Sequence, residues 1–351
     1  MVMIARNEAA SIARCLHSVR DWVDAMVVLD TGSTDDTVAI ARAAGAQVHL
    51  WAWRDDFAAA RNAALALSPA DWNLVLDADE WLVGDGAAIG QALRQAGDKR
   101  FIGLVPVHSQ LDSAPAAAAG GDLASNPAGD ATPAMEQLSW LPRLLPRGVV
   151  YTGRIHEQPV SDLPRQRLGV RIGHDGYRWH KAQQKKGRNR ALLVAALRDE
   201  PENPYLHYQL GKDRDVYGDA AQALACYEQA LQRMPAGHPC RIDAVVRTLV
   251  CLKLLGLHAL GQQFAEDEMP ACGQSPDFFY VLADLLVDFA RLEPERGARE
   301  LLPLARISLL FCLKLGDTPD VAGSVSGRGS HLAAHALALM DGPGARRRPD
   351  E

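Results

Sequence analysis

The residues with the clearest capacity for chemistry lie in Asn73 to Glu80, NLVLDADE, where three apolar positions run up to Asp77 and three carboxylates fall within four positions. Two carboxylates roughly 5 Å apart repel by about 3 kcal/mol at an effective dielectric of 20, so a chain that crowds them needs a cation nearby. Asp77 and Asp79 form a D-x-D. At the end of a strand, alternation predicts both on one side, one bound directly to a divalent ion and the other reaching it or its waters. Ligation by oxygen alone favours Mg²⁺ or Mn²⁺, ions that bridge to substrate phosphates. An isolated D-x-D also occurs as plain surface acids, and a phosphatase-type DxDxT nucleophile would belong to the first strand, whereas this pair follows the fourth.

The elements that must position these acids can be read upstream. MVMIA predicts a short strand, Ile12, Cys15, Leu16 and Val19 recur at helical spacing, and AMVVLD is a second strand. STDDTVAIARAAG predicts a helix capped by Ser33 or Thr34 and ended by Gly45. AQVHLW, DFAAARNAALAL and WNLVLD then read as strand, helix and strand. This order predicts a mainly parallel sheet with helices on both faces and ligands at the carboxyl ends of the strands, where Asp30 and Asp77 fall. Asp30 is followed by Gly32 at a tight turn, so it either offers its carboxylate to a nucleoside or satisfies its own turn. The usual glycine cradles for dinucleotides and triphosphates, GxGxxG after the first strand and GxxxxGK[ST], are absent.

Residues 112–134 are rich in Ala, Gly, Pro and Ser and predict a mobile loop. From about residue 181 strand signals stop. Leu210, Gly211, Ala223, Tyr227, Ala230 and Pro235 sit at the offsets of a 34-residue tetratricopeptide (TPR) repeat, and the run from 240 to 316 is expected to supply degenerate neighbours. The division predicted is 1–180 for the α/β domain and 181–340 for an all-α TPR-like domain.

Bulk properties bound the function. A net charge of -6 gives no footprint for nucleic acid, and the basic run KAQQKKGRNR (181–190) reads as a solvated helix face or a local anion patch. Cys15, Cys226, Cys240, Cys251, Cys272 and Cys312 show no paired metal spacing, which predicts reduced thiols in a cytoplasmic protein. No signal peptide or transmembrane segment is visible, since the longest apolar stretch is broken by Pro303, Arg306 and Lys314.

Four blocks taken together, MIARNEAASIARCLHSV, VVLDTGSTDDT, WRDDFAAARNAAL and WNLVLDADEWL, resemble the family 2 glycosyltransferases with a GT-A, Rossmann-like fold. The likeness is to a subgroup that includes bacterial β-glucosyltransferases of lipopolysaccharide assembly and peptide S-glycosyltransferases, several with TPR helices after the catalytic domain. The resemblance spans roughly residues 1–235. It implies that Glu8 and Asp30 hold base and ribose with Arg6 beside them, and that Arg61 lies near the diphosphate. Asp77, Ala78 and Asp79 would line the ribose and metal-bound diphosphate, with Asp79 the direct ligand. Trp81 either stacks on a sugar or belongs to the core.

YTGRIHEQPV and IGHDGYRWHK also resemble the subgroup. They make Glu157 the candidate base, Asp175 its rival, and His156 and His174 candidates for metal or phosphate. The implied activity is metal-dependent, inverting hexosyl transfer from a nucleotide sugar, most readily a UDP-hexose, to a peptide, protein or saccharide. The helical tail would recognise the acceptor or join two copies in a homodimer. A sugar nucleotidyltransferase, lacking here its glycine-rich opening loop, and an inactive transferase-like scaffold whose repeats bind protein are the alternatives. Pyrophosphate release would distinguish the first, and loss of metal-dependent donor binding the second.

Overall fold

The computed structural model describes residues 1–111, 135–175, 187–321 and 323–341. The predicted loop at 112–134 and residues 181–186 of the basic run lie outside these, as do positions 176–181 of IGHDGYRWHK. The chain forms two compact units, Met1–Gln110 with Ser139–Ala196, and Leu111–Leu138 with Leu197–Glu351.

The first unit opens with β1 (Val2–Ala5), α1 (Ile12–Val19), β2 (Val27–Asp30), α2 (Thr37–Ala43), β3 (Gln47–Leu50) and α3 (Phe57–Ala66). The three strands pair in parallel, β1 to β2 to β3. Period-two alternation sends Met1, Met3 and Ala5 to one face, against Ile12, Cys15, Leu16 and Val19 of α1, and Val2, Val27 and Leu29 to the other, against Ala60 and Ala64 of α3. The expected helices on both faces follow from this.

The chain continues through β4 (Trp72–Leu74), β5 (Glu80–Val83), α4 (Ala87–Ala96), β6 (Ile102–Leu111), β7 (Met135–Pro146), β8 (Val150–Thr152), β9 (Gln158–Val160), β10 (Arg165–Arg167) and β11 (Arg171–His174), reaching α5 (Arg188–Asp199). A second, six-stranded sheet has the order β4-β7-β6-β11-β5, with β10 against β6. This second sheet is mixed: β4 pairs antiparallel with β7, and Val75, just past β4, joins the first sheet through a parallel bridge to Val2. That bridge sets β4 beside β1, on the side away from β2. Chain order therefore reverses between β1 and β4, the place where open α/β sheets leave a crevice.

One correction concerns the cap of α2. The helix starts later than expected, after Asp36, whose side chain makes no capping bond. Asp35 instead accepts from Thr37 N at 3.0 Å and from Ala9 N at 3.1 Å, so Ser33 and Thr34 are released to bind Asn7. The ending at Gly45 is as expected, with φ +90°.

The second unit is helical: α6 (Pro204–Val216), α7 (Ala220–Arg233), α8 (Arg241–Leu254), α9 (His258–Cys272), α10 (Pro276–Leu292), α11 (Leu302–Leu315) and α12 (His331–Met340). α6 and α7 form the expected repeat. Ala223, Tyr227 and Ala230 are fully buried, and the Tyr227 ring lies so close over Gly211 that a Cβ there would stand 2.5 Å from it. α8 to α11 supply the neighbouring pairs, sharing a core around Leu249, Phe278 and Leu285. No helix among the described residues is long and apolar enough to cross a membrane.

Candidate active site

At the reversal point a cleft of about 260 Å³ opens, lined from the ends of β1 and β2, the start of α3, the turn after β4, the β8–β9 hairpin, the end of β11 and the start of α5. It gathers Arg6, Glu8, Arg61, Asp77, Ala78, Asp79, His156, Glu157 and His174, nine of the residues singled out from sequence, together with Arg188 and Asn189. All three described non-glycine residues with positive φ, Asn7, Asp55 and His156, lie on its wall or within two residues of a wall residue. Their left-handed backbone is tolerated because Asn, Asp and His adopt it more readily than other side chains.

The D-x-D does not sit on a straight strand. The chain leaves β4 and turns, Glu80 N donating to Asp77 O at 3.0 Å, so the strand alternation invoked above does not apply and the two acids face different partners. Asp77 is held between two guanidinium groups, its Oδ1 accepting from Arg61 Nη2 at 2.9 Å and its Oδ2 from Arg143 Nη2 at 2.8 Å. Burial pushes its pKa up, but Arg143 and Arg61 overcome this and hold it well below the usual carboxylate range. Arg143 also bonds Glu80 Oε1, while Glu80 Oε2 accepts from Asp77 N at 3.0 Å. Burial leaves the Glu80 pKa raised despite Arg143. The cation that three crowded acids required is thus, for two of them, a pair of buried arginines.

Asp79 faces elsewhere. Its Oδ1 stands 3.7 Å from His174 Nε2, and the other ring nitrogen, Nδ1, meets Ser109 Oγ at 3.0 Å. The pairing follows from register, since β11 runs between β6 and β5 and sets His174 beside Ser109 on one side and Glu80 on the other. Burial alone would lower the His174 pKa. The hydrogen bond and charge of Asp79, with Glu80 and Asp77 behind it, raise it instead.

Glu157 reaches the cleft from the five-residue loop between β8 and β9. Its Oε1 accepts from Arg61 Nε at 3.1 Å and Nη2 at 2.8 Å. Arg61 is 4% exposed, and burial pulls its pKa down, but Asp77 and Glu157 carry it well above its ordinary value. The neighbouring Asn62 clasps the same hairpin, donating to Tyr151 O at 2.9 Å and accepting from Tyr151 N at 2.8 Å. Phe57 N adds a bond to Arg154 O at 2.9 Å. One turn of α3 therefore holds both the acidic turn and the loop that carries His156 and Glu157.

Three residues singled out from sequence stay off the cleft wall. Asp30 is 2% exposed and serves its own turn, accepting from Gly32 N at 3.0 Å and Ser33 N at 2.9 Å, so Thr31 represents that strand end. Trp81 lies under the Arg14 guanidinium at 3.7 Å and against Gly173, where a Cβ would come within 2.5 Å of its ring. Asp175 is buried and ion-paired to Arg14 at 2.7 Å.

Sequence reasoning missed Arg143, Asn62 and Ser109, and reached Arg188 only as part of the basic run 181–190 read as a solvated helix face or a local anion patch. Arg143 did leave a signal, a lone charge in the apolar run LPRLLP of β7, which an inward-facing strand position tolerates only with a buried partner. Arg188 opens α5 on the cleft, with its guanidinium 5.6 Å from the Phe57 ring.

The site fits a divalent ion at one end only. Among the described residues no three His, Cys, Asp or Glu side chains are grouped to enclose a metal. Asp79 and His174, however, offer two donors closer together than twice a metal–oxygen bond of about 2.1 Å, and Ser109 fixes the imidazole as metal-bound histidines require. Two protein donors suit an ion that completes its shell with substrate phosphate and water.

The description Glycosyl transferase family 2 matches residues 1–110. A TPR repeat-containing protein of Synechococcus elongatus is 36% identical over 247 residues, covering 66% of this chain and 56% of that protein. The SPbeta prophage-derived glycosyltransferase SunS of Bacillus subtilis is 28% identical over 301 residues, covering 82% of this chain and 66% of SunS. The chain thus spans less than two thirds of the length of either relative. Glucosyl-3-phosphoglycerate synthase from Mycobacterium tuberculosis, solved in one crystal with Mn²⁺, uridine diphosphate and glucosyl-3-phosphoglycerate, is 27% identical over 32% of this chain and 43% of that one, with a TM-score of 0.24. Residues 1–110, which supply the strand ends and the acidic turn of the cleft, therefore carry a glycosyl transferase family 2 domain.

Proposed function

We propose that the first unit is a metal-dependent, inverting glycosyltransferase that moves a hexose from a nucleotide sugar to a peptide, protein or saccharide. The observation that carries this reading is the convergence, at the reversal between β1 and β4, of a two-donor metal end (Asp79, His174) and a carboxylate (Glu157) presented by a separate hairpin. The family match at residues 1–110 and the similarity to the glycosyltransferase SunS support it.

In this reading Arg6 and Glu8 meet the nucleoside at the end of β1, and Asp79 and His174 hold Mn²⁺ or Mg²⁺, which when bound neutralises charge on the departing diphosphate. His156 and Arg188 stand where they can touch phosphate oxygens. Glu157 takes the acceptor proton: both Arg61 bonds fall on Oε1, leaving Oε2 for the substrate. Its rival Asp175 is tied to Arg14 and does not line the cleft. A UDP-hexose is the donor to test first. The helical unit would recognise the acceptor or pair two copies of the chain, and six free thiols accord with a cytoplasmic setting.

The test is to incubate the full chain with a panel of UDP- and GDP-sugars, with Mn²⁺ or with chelator, and to measure nucleoside diphosphate release. Release that requires the ion and one class of donor is expected. No release from any donor, or release indifferent to chelation, would overturn the reading.

A further inference from the structure

We infer that Asp77 is a positioning residue clamped between Arg61 and Arg143, and that this clamp, not a metal ion, sets the place of Glu157 in the cleft. The inference rests on the transferase reading for the role of Glu157 and goes beyond it by separating the two acids of the D-x-D.

The geometry is a row of alternating charge, Glu157–Arg61–Asp77–Arg143–Glu80, largely buried except at Asp77, whose side chain is 38% exposed. Each oxygen of Asp77 is taken by a different guanidinium, at 2.9 and 2.8 Å. Arg61 Nη2 is shared between Asp77 and Glu157, so the carboxylate of the acidic turn and that of the hairpin are held by a single nitrogen. Arg143 closes the other end on Glu80, which is 2% exposed.

Three acids against two arginines leave one negative charge in the row, which suits a cleft where a basic oxygen is wanted. A guanidinium is the right cation here because it is planar and permanently charged and bonds two carboxylates in fixed directions, which an ammonium cannot do. Each oxygen of Asp77 already accepts from a guanidinium, so an ion bound there would sit beside two positive charges that repel it. Arg61 Nη1 and Arg143 Nε are buried without a hydrogen-bond partner among the described residues, so the hydrogen bonds that hold the two guanidinium groups run to Asp77, Glu157 and Glu80.

The experiment compares crystal structures of the full chain carrying Arg61→Gln, Arg61→Lys or Asp77→Asn with the unsubstituted protein, alongside kinetics of donor hydrolysis and transfer. In Arg61→Gln the Glu157 carboxylate is expected to leave its position by more than about 1 Å, a misplacement that costs about 100-fold in kcat with KM for the donor within about threefold. Arg61→Lys, which keeps the charge but not the fork, should recover about a tenth of the rate. Asp77→Asn should retain Mn²⁺ and UDP in the soaked crystal at Asp79 and His174. A Glu157 unmoved in Arg61→Gln, or an ion bound directly to Asp77 in the unsubstituted crystal, would overturn the inference. The Glu157 displacement is read from coordinates whether or not turnover is seen, so absence of activity in the unsubstituted protein counts against the transferase reading alone. If Arg61→Gln fails to fold, the Asp77→Asn and Arg61→Lys crystals decide.

Discussion

His174 Nε2 stands 3.7 Å from Asp79 Oδ1, with the imidazole braced on its far side by Ser109. Substituting Asp79→Ala should lower kcat by about 10³-fold, the equivalent of the several kcal/mol a Lewis-acid ion supplies, and abolish metal-assisted donor binding in calorimetry. Circular dichroism should be unchanged. Normal rates in this variant would contradict the metal assignment.

Ser109 would act on a bound ion only through the histidine. Ser109→Ala should therefore weaken Mn²⁺ affinity about tenfold while leaving saturating-metal kcat within about twofold, as expected for an outer partner of a metal-bound imidazole. A titration of donor hydrolysis against Mn²⁺ separates the two effects.

Glu157→Gln keeps the size of the side chain and an oxygen for Arg61 but removes the proposed base. Donor affinity should stay within about threefold, and transfer should fall by about 10² to 10⁴-fold. If transfer is undiminished, the base lies elsewhere, with Asp175 the next to test.

The helical unit allows a test independent of catalysis. Tyr227 is fully buried over Gly211, and its ring has no room to retreat. Gly211→Val gains a few tenths of a kcal/mol in helix propensity but overpacks this contact, so a net destabilisation of about 1–3 kcal/mol should appear as a lower denaturation midpoint.

Acid sensitivity of the same unit should report on Asp243, which accepts from Tyr208 Oη and from Arg247 Nε at 2.8 Å. Burial raises its pKa, but Arg247 and Lys212 outweigh this and leave it below the ordinary carboxylate value. A depressed folded-state pKa contributes stability above the unfolded value near 4 that disappears as pH falls through the folded one. The full chain should lose helical signal on acidification below that point, and Asp243→Asn should flatten the dependence while lowering stability at pH 7.

Local pattern made the scaffold legible. Alternating apolar strands, the Ile12–Cys15–Leu16–Val19 face of α1 and the small residues of α6 and α7 all follow from periodicity, and the structure has them where expected. Site membership was also largely readable, because loops after parallel strands converge by topology. What sequence did not reveal is how the acids divide. Asp77 and Asp79 look alike in a D-x-D, and only the antiparallel partner β7, which brings Arg143 from 66 positions away, separates the acid held between two arginines from the one set beside His174. Asp30 illustrates the converse, since Gly32 and Ser33 allowed both readings and the turn closes on the carboxylate itself.

The long reach of those pairings also bears on how the cleft is made. Arg61 meets Glu157 across 96 positions, and Arg14 meets Asp175 across 161. Contacts so distant in sequence close late, after loop entropy has been overcome, whereas β1 to β3 and their helices need only near neighbours. A nascent chain released at residue 110 would carry the domain's hallmark segments yet lack Arg143, Glu157 and His174, and so would hold half a cleft, with Asp77 left to Arg61 alone and Glu80 without its arginine.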